Sequence, residues 1–373
     1  MGGGVTGLSF ANFCRSDDWI LCEGGSKVGG YCKSIRQDGF TWDYSGHFFH
    51  FSTDLSKDLF LSKMKGVKIN ELSKITSILY GKNKIDFPFQ KNIHQLPRDE
   101  FIECLSDLGD RPTDPPSNFL EMLYVKFGKG IVEKFLKPYN EKLYACNLND
   151  LDVDAMGRFF PHAELEDIVK NFRAENSQSY NGTFSYPKNG SFEFIKALLR
   201  DLNSSKIKLD HKLSHLDYKN KIAHFSNGAQ IKYEFLISTI PFPLLLRLSG
   251  IEYSEKTYTS NKVLVFNLGF DGPSPIKDHW IYFPDKDTSF YRVGFYNNII
   301  KSNRMSLYVE LGIKSTEKID ESQILKKVLQ DLKKHDIIRD QRLISRNTII
   351  MNPAYVHVKK ESIDDFAVKN KTL

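Results

Sequence analysis

The sequence lacks a membrane-spanning run. Its most apolar stretch, Phe235 to Leu248, is broken by Pro241, Pro243 and Arg247, and reads as a buried strand and the turn after it. No secretory leader is visible. Cysteine is sparse: Cys14, Cys22, Cys32, Cys104 and Cys146 are odd in number and form no C-x-x-C pair, which argues against a disulfide framework and for a reduced, cytoplasmic setting. Glycosylation triplets at Asn181 and Asn189 do not outweigh this, because such triplets arise often by chance. Lys and Arg form no block, and a formal net charge of +6 is mild for 373 residues, so no nucleic-acid arm or lipid-binding patch is expected. There is no internal repeat or low-complexity segment, and no metal site is expected.

Aromatic surface, by contrast, is plentiful, at 13% of the chain with 28 Phe and 17 Tyr. Flat rings suit a planar cofactor or a sugar, although most rings in any protein are core. The length sets an expectation of about two or three domains. Leu8, Phe10, Ala11 and Phe13 give a short apolar helix face, and Trp19-Ile20-Leu21-Cys22 reads as a buried strand. From Asp54 to Tyr144 the spacing is helical, with boundaries at Pro115-Pro116 and Pro138. Strands are predicted at Lys206–Leu209, Ile222–Phe225, Ile231–Thr239, Val263–Phe270, Trp280–Phe283, Phe290–Tyr296 and Leu307–Leu311. A helix over Glu321–Lys334 and a last strand over Leu343–Met351 follow.

The first residues, Met1-Gly2-Gly3-Gly4-Val5-Thr6-Gly7, satisfy G-x-G-x-x-G. In that pattern Gly2 allows a tight turn, Gly4 lets the backbone approach a pyrophosphate, and Gly7 lets helix and strand pack closely. The unpaired amides of the following helix, from Val5 and Thr6 onward, meet the phosphates at the positive end of the helix dipole. Alone the motif is weak. Glu23 strengthens it, because an acid ending the next apolar strand can accept hydrogen bonds from a ribose. A second glycine turn, Gly24-Gly25-Ser26-Lys27-Val28-Gly29-Gly30, follows directly. Such a turn normally follows a strand, and only Met1 precedes Gly2, so the expected sheet lacks its first strand.

Glu23 with Gly29-Gly30, then Gly39-Phe40-Thr41-Trp42-Asp43-Tyr44-Ser45-Gly46-His47, resembles UDP-galactopyranose mutase, of the wider flavin amine oxidase and protoporphyrinogen oxidase superfamily. The resemblance continues through Pro138-Tyr139-Asn140-Glu141-Lys142-Leu143-Tyr144, similar to the family's P-Y-N-x-K-x-W with Tyr144 in place of Trp. It extends through Tyr186-Pro187-Lys188-Asn189-Gly190 and Ile237-Ser238-Thr239-Ile240-Pro241. Most specific is Trp280-Ile281-Tyr282-Phe283-Pro284 with Phe290-Tyr291-Arg292 behind it. The family's second flavin segment, a G-R-x-G-x-W-x-Y-like stretch, is absent before the chain stops at Leu373.

The resemblance implies an α/β fold: a Rossmann-like FAD-binding domain (residues 1–53 and 186–245), a helical insertion (54–150) and an antiparallel β-sheet substrate domain (151–185 and 246–373). It implies FAD, active when reduced, attacking through N5 at the anomeric carbon as UDP-galactopyranose and UDP-galactofuranose interconvert. Cofactor contacts are expected from Gly2, Gly4, Val5, Thr6, Gly7, Glu23, Gly24, Gly29, Gly30 and Tyr31, and from the Ser45-Gly46-His47 loop against the flavin. Arg292 and Arg158 are the expected diphosphate cations, a guanidinium fork matching phosphate oxygens in two places. Trp280, Tyr282 and Tyr355 would border the UDP-sugar. Each residue has a plainer reading: Arg292 in a surface ion pair, His47 a satisfied core histidine, Tyr282 a core side chain, Tyr355 a strand end. Expected partners are a UDP-sugar, a reductant such as NAD(P)H and further copies in a homo-oligomer, with no nucleic acid and no membrane span. An amine oxidase or protoporphyrinogen oxidase-like oxidoreductase, and an inactive nucleotide-binding fragment, are the competing functions.

Overall fold

The structure, a computed structural model, describes residues 2–157, 165–171 and 182–372; Arg158 and Asn181 lie outside them. The chain divides into two compact units. One comprises Met1–Glu71, Ser185–Tyr258 and Ala367–Leu373, and the other Leu72–Phe184 and Thr259–Phe366.

In the first unit the strand Leu21–Cys22 pairs in parallel with Ile207–Lys208. Beside it, the Gly2 amide donates to the Cys22 carbonyl at 2.8 Å, and the Gly29 amide donates to the Gly3 carbonyl at 2.7 Å. The helices Val5–Phe13 and Phe192–Arg200 cover this pair, burying Leu8, Ala11, Leu21, Val28, Ile195 and Leu198 together. Parallel strands with helices packed on them are the Rossmann arrangement. A hairpin, Ser34–Gln37 with Phe40–Asp43, and an antiparallel meander of Leu213–Asp217, Ile222–Phe225 and Gln230–Lys232 supply the other strands.

Two stretches of this unit differ from the sequence-based expectation. The strand predicted over Ile231–Thr239 ends at Lys232, and Phe235 beyond it is 86% exposed. The end of the apolar run, Phe242–Leu248, is a helix, where a buried strand and the turn after it were expected. Pro243 sits in its first turn, where a missing N–H sacrifices no intrahelical bond, and Leu245 and Leu246 face inward.

The second unit is built on an eight-stranded sheet. Its main path runs Leu343–Met351, Thr259–Phe270, Ser306–Lys314, Arg292–Phe295, Trp280–Tyr282, Thr76–Tyr80 and Asn83–Asp86, with Val356–His357 paired to the second of these off the path. The last two strands on the path lie within the region whose spacing reads as helical. A hairpin turned at Gly81-Lys82 interrupts that region before the helices Arg98–Gly109, Phe119–Ile131 and Lys137–Tyr144. Thr76–Tyr80 pairs in parallel with Trp280–Tyr282, and the neighbouring pairings from Trp280–Tyr282 through to Leu343–Met351 are antiparallel.

Alternation along these strands separates the two faces. Leu264, Phe266, Leu268, Val293, Leu307 and Val309 lie on one face under Leu325, Val328 and Leu332 of the helix Glu321–Lys334. Asp320 caps that helix by accepting from the amides of Ser322 and Gln323. The opposite parity carries Trp280, Tyr282, Arg292, Tyr308 and Glu310. The register aligns Tyr282, Arg292 and Glu310 in one row across the strands, and Trp280, Gly294 and Tyr308 in the next.

Gly294 is required by close approach, since a Cβ there would lie 1.9 Å from the Tyr308 ring, which is fully buried. Gly294→Ala is therefore expected to cost about 1–3 kcal/mol by overpacking. Urea unfolding with unchanged stability would show that the ring can move aside.

Candidate functional site

The glycine turn closes on itself. The helix Val5–Phe13 has Gly4 as its N-cap, with no side-chain acceptor for its first amides. Gly7 packs against the turn so closely that a Cβ would meet the Gly2 carbonyl oxygen at 2.0 Å. Gly30 lies opposite Gly4, its Cα 3.8 Å from where a Gly4 Cβ would stand. Glu23 ends the Leu21–Cys22 strand. One of its carboxylate oxygens accepts from the Gly3 amide at 2.7 Å and the other from the Gly25 amide at 2.9 Å. The carboxylate thus ties both glycine turns together, and each of its oxygens keeps a second lone pair. Val5 and Thr6 are exposed at the helix start, as are Gly24, Gly30 and Tyr31 on the second turn, whereas Gly29 is buried.

Ser45, Gly46 and His47 follow the second hairpin strand. Ser45 is buried and holds a left-handed φ of 74°, and its carbonyl accepts from the His47 amide at 3.0 Å and lies 3.3 Å from His47 Nδ1. Just before this loop the hairpin strand ends at Asp43, to which the sequence alone gives no role. Asp43 is fully buried, accepting from the Ser34 hydroxyl at 2.5 Å, the Tyr186 hydroxyl at 2.8 Å and the Ser191 amide at 3.1 Å. Burial pushes its carboxyl pKa up, against the hydrogen bonds from Ser34 and Tyr186 and the nearby His47. Gly190 permits this junction, and Ser191 begins the Phe192–Arg200 helix, so one carboxylate joins hairpin, loop and helix.

In the second unit, Arg292 and Glu310 are direct cross-strand partners. The guanidinium gives its Nε to one carboxylate oxygen, and its Nη2 to the other at 2.9 Å. Glu310 is 1% exposed and the Arg292 side chain 20%. This is not the surface ion pair of the plainer reading. Trp280 Nε1 donates to the Tyr282 hydroxyl at 2.8 Å, and the charge of Arg292 acts on the same phenol. Tyr139, on the helix Lys137–Tyr144, sets its ring edge-on to Tyr282 and Tyr291, 5.4 and 6.1 Å between centroids. Phe87 lies against the other side of Tyr282 at 4.8 Å. Tyr355 sets its ring edge-on to Tyr144, 5.8 Å between centroids, and its amide donates to Asn261 Oδ1 at 2.8 Å. Burial pushes the phenols of Tyr139, Tyr282, Tyr291, Tyr308 and Tyr355 up, with Arg292 opposing, so all five stay neutral hydroxyls near neutral pH.

The structure thus groups Gly2, Gly4, Gly7, Glu23, Gly29 and Gly30 at one turn, and Trp280, Tyr282, Arg292 and Tyr355 in one aromatic cluster. Sequence reasoning missed Glu310, Tyr308 and Asp43. The Tyr308-Val309-Glu310 alternation was the available signal, but which strand faces Arg292 is a matter of register, which spacing alone does not supply.

These features define a dinucleotide-type α/β fold with an antiparallel second unit. Residues 1–60 match the NAD(P)-binding Rossmann-like domain family. Among solved structures the chain is similar to a reduced UDP-galactopyranose mutase, with a TM-score of 0.88 and 24% identity over 99% of this chain and 85% of that one. It is also similar to an Exiguobacterium protein assigned as a protoporphyrinogen oxidase, at TM-score 0.76 and 18% identity over 99% and 89% of the two chains. A putrescine oxidase double mutant gives 0.69 and 11% over 100% and 90%. The fold is that of UDP-galactopyranose mutase and its structural relatives, as the motifs led one to expect. Among the described residues, no helix is long and apolar enough to cross a membrane.

Two predictions come from the buried charges. Asp43→Asn replaces an acceptor by a donor facing Ser34, Tyr186 and the Ser191 amide, and should cost about 1–3 kcal/mol in denaturant unfolding. A change within error would remove Asp43 from its structural role. Lys142 donates to the carbonyls of Phe283 and Asp285 at 2.8 and 3.1 Å, and burial pushes its pKa down to about 7, with Asp285 foremost among the opposing charges. Between that value and the ordinary 10.5 the unfolded chain holds the proton and the folded one does not, so this group's contribution to stability rises with pH across the window. The stability difference between wild type and Lys142→Met should therefore grow in favour of wild type from pH 7 to pH 9, and a flat difference would contradict it.

Proposed function

We propose that this protein is an FAD-dependent UDP-sugar mutase interconverting UDP-galactopyranose and UDP-galactofuranose with no net redox change. The observation that carries the reading is the Trp280–Tyr282–Arg292 cluster: a half-buried guanidinium beside neutral phenols in a chain whose other unit has a dinucleotide turn. The residues of that turn fit FAD. The uncapped first amides of the Val5–Phe13 helix suit its pyrophosphate, and Glu23 stands where a ribose hydroxyl could donate. When bound and reduced, FAD supplies an electron-rich N5 as nucleophile toward the anomeric carbon, and a reductant such as NAD(P)H keeps it reduced.

This chain's own task is to hold the diphosphate that departs and returns. Arg292 offers charge-assisted hydrogen bonds from the part of its fork that Glu310 does not occupy. Tyr282 accepts from Trp280, which leaves its own proton to donate to a ligand oxygen. Because its pKa lies above the usual tyrosine value, that proton is retained at neutral pH. Tyr355 would border the same ligand, Arg158 would add a second cation, and the His47 loop would face the flavin. An amine oxidase would instead use a hydrophobic substrate funnel and have no call for a diphosphate-binding arginine.

Supplying UDP-galactofuranose under dithionite and in air, with UDP-galactopyranose followed by chromatography, separates the two. Turnover only when the flavin is reduced supports the mutase, whereas peroxide from an amine supports the oxidase. A purified chain that takes up no FAD would fit an inactive fragment. Arg292→Ala should weaken UDP binding by about 1.5–3 kcal/mol while flavin content stays unchanged. Equal UDP affinity in the two proteins would remove Arg292 from the ligand site.

A further inference from the structure

The guanidinium of Arg292 is already half spent. Its Nε–Nη2 edge lies along the carboxylate of Glu310, which is 1% exposed and sits directly across from it in the sheet. A cation meant only to maximise attraction for an anion would stand clear of any carboxylate, as the two opposite charges largely cancel at a distance. Fixed strands hold Glu310 in this place, with Val265 across from it on its other side and the phenols of Tyr282, Tyr291, Tyr308 and Tyr355 near it. We infer that Glu310 is a positioning residue that orients Arg292 and lowers the site's net charge, so that a diphosphate is gripped by directed hydrogen bonds yet readily released. The inference rests on reading Arg292 as the diphosphate ligand. Its physical content is that the pair presents a dipole to the ligand, with the end of the fork turned from Glu310 positive and the buried carboxylate behind it. A ligand that must leave and be recaptured within one catalytic cycle benefits from such moderated binding, because uniform tight binding raises no turnover.

Charge and orientation can be separated by three variants. Glu310→Gln keeps the size and removes the charge. Glu310→Leu removes the same charge with a side chain suited to a sheet interior, and answers the question should the Gln variant not fold. Glu310→Asp keeps the charge but is one methylene short of the guanidinium. Calorimetric titration with inorganic pyrophosphate, and separately with UDP, should find the neutral variants binding pyrophosphate about tenfold tighter than wild type, with a steeper loss of affinity on adding salt. Glu310→Asp should bind no tighter than wild type. If the neutral variants bind pyrophosphate no tighter than wild type, the inference is overturned. If pyrophosphate behaves as expected while no form binds UDP, the nucleotide-sugar reading falls and the charge-lowering role of Glu310 stands.

Discussion

Strand parity in the large sheet is the constraint on which the second unit depends. Because neighbouring residues point to opposite faces, one register decision sends Leu264, Phe266, Val293 and Val309 toward the Glu321–Lys334 helix and Tyr282, Arg292 and Glu310 away from it. A slip of one residue would bury the guanidinium under that helix and expose the core. The polar cluster is thereby fixed by the same burial that stabilises the fold. Gly294 and Tyr308 extend the logic sideways, one strand leaving a gap that its neighbour's ring fills.

Both units place a carboxylate where water is excluded and surround it with donors. Asp43 takes hydroxyl and amide donors and joins a loop to a helix, while Glu310 takes a guanidinium. The two arrangements differ in consequence. Around Asp43 the hydrogen-bond donors are neutral, and burial pushes the carboxyl's pKa up. Around Glu310 the charges cancel, and the surrounding phenols stay protonated. Buried charge is tolerated in each case because partners replace the lost water.

Much of this was legible in the residues. The helix Glu321–Lys334 and the strand Leu343–Met351 have the bounds their spacing predicts, and the two sharpest motifs, the glycine turn and the Trp280–Arg292 block, fall at a helix start and on adjacent strands. What failed did so for identifiable reasons. Phe235 to Leu248 is apolar enough for a strand, but Pro243 suits the first turn of a helix, and local composition cannot rank the two. Thr76–Tyr80 was hidden in a region of helical spacing because its partner lies far along the chain. Glu310 escaped because an acid in a strand acquires meaning only from the residue across the ladder.

That distant partnership has a consequence for how the molecule is made. The Ile75 amide meets His279 some 204 positions later, and the pairing beside it is parallel, so no tight turn can bring the two strands together. During synthesis Thr76–Tyr80 emerges with only its hairpin companion Asn83–Asp86, and its other edge waits until Trp280–Tyr282 has left the ribosome. The sheet cannot close beside Trp280 before then, and the waiting edge is the place where a chaperone, or a neighbouring nascent chain, has its opportunity.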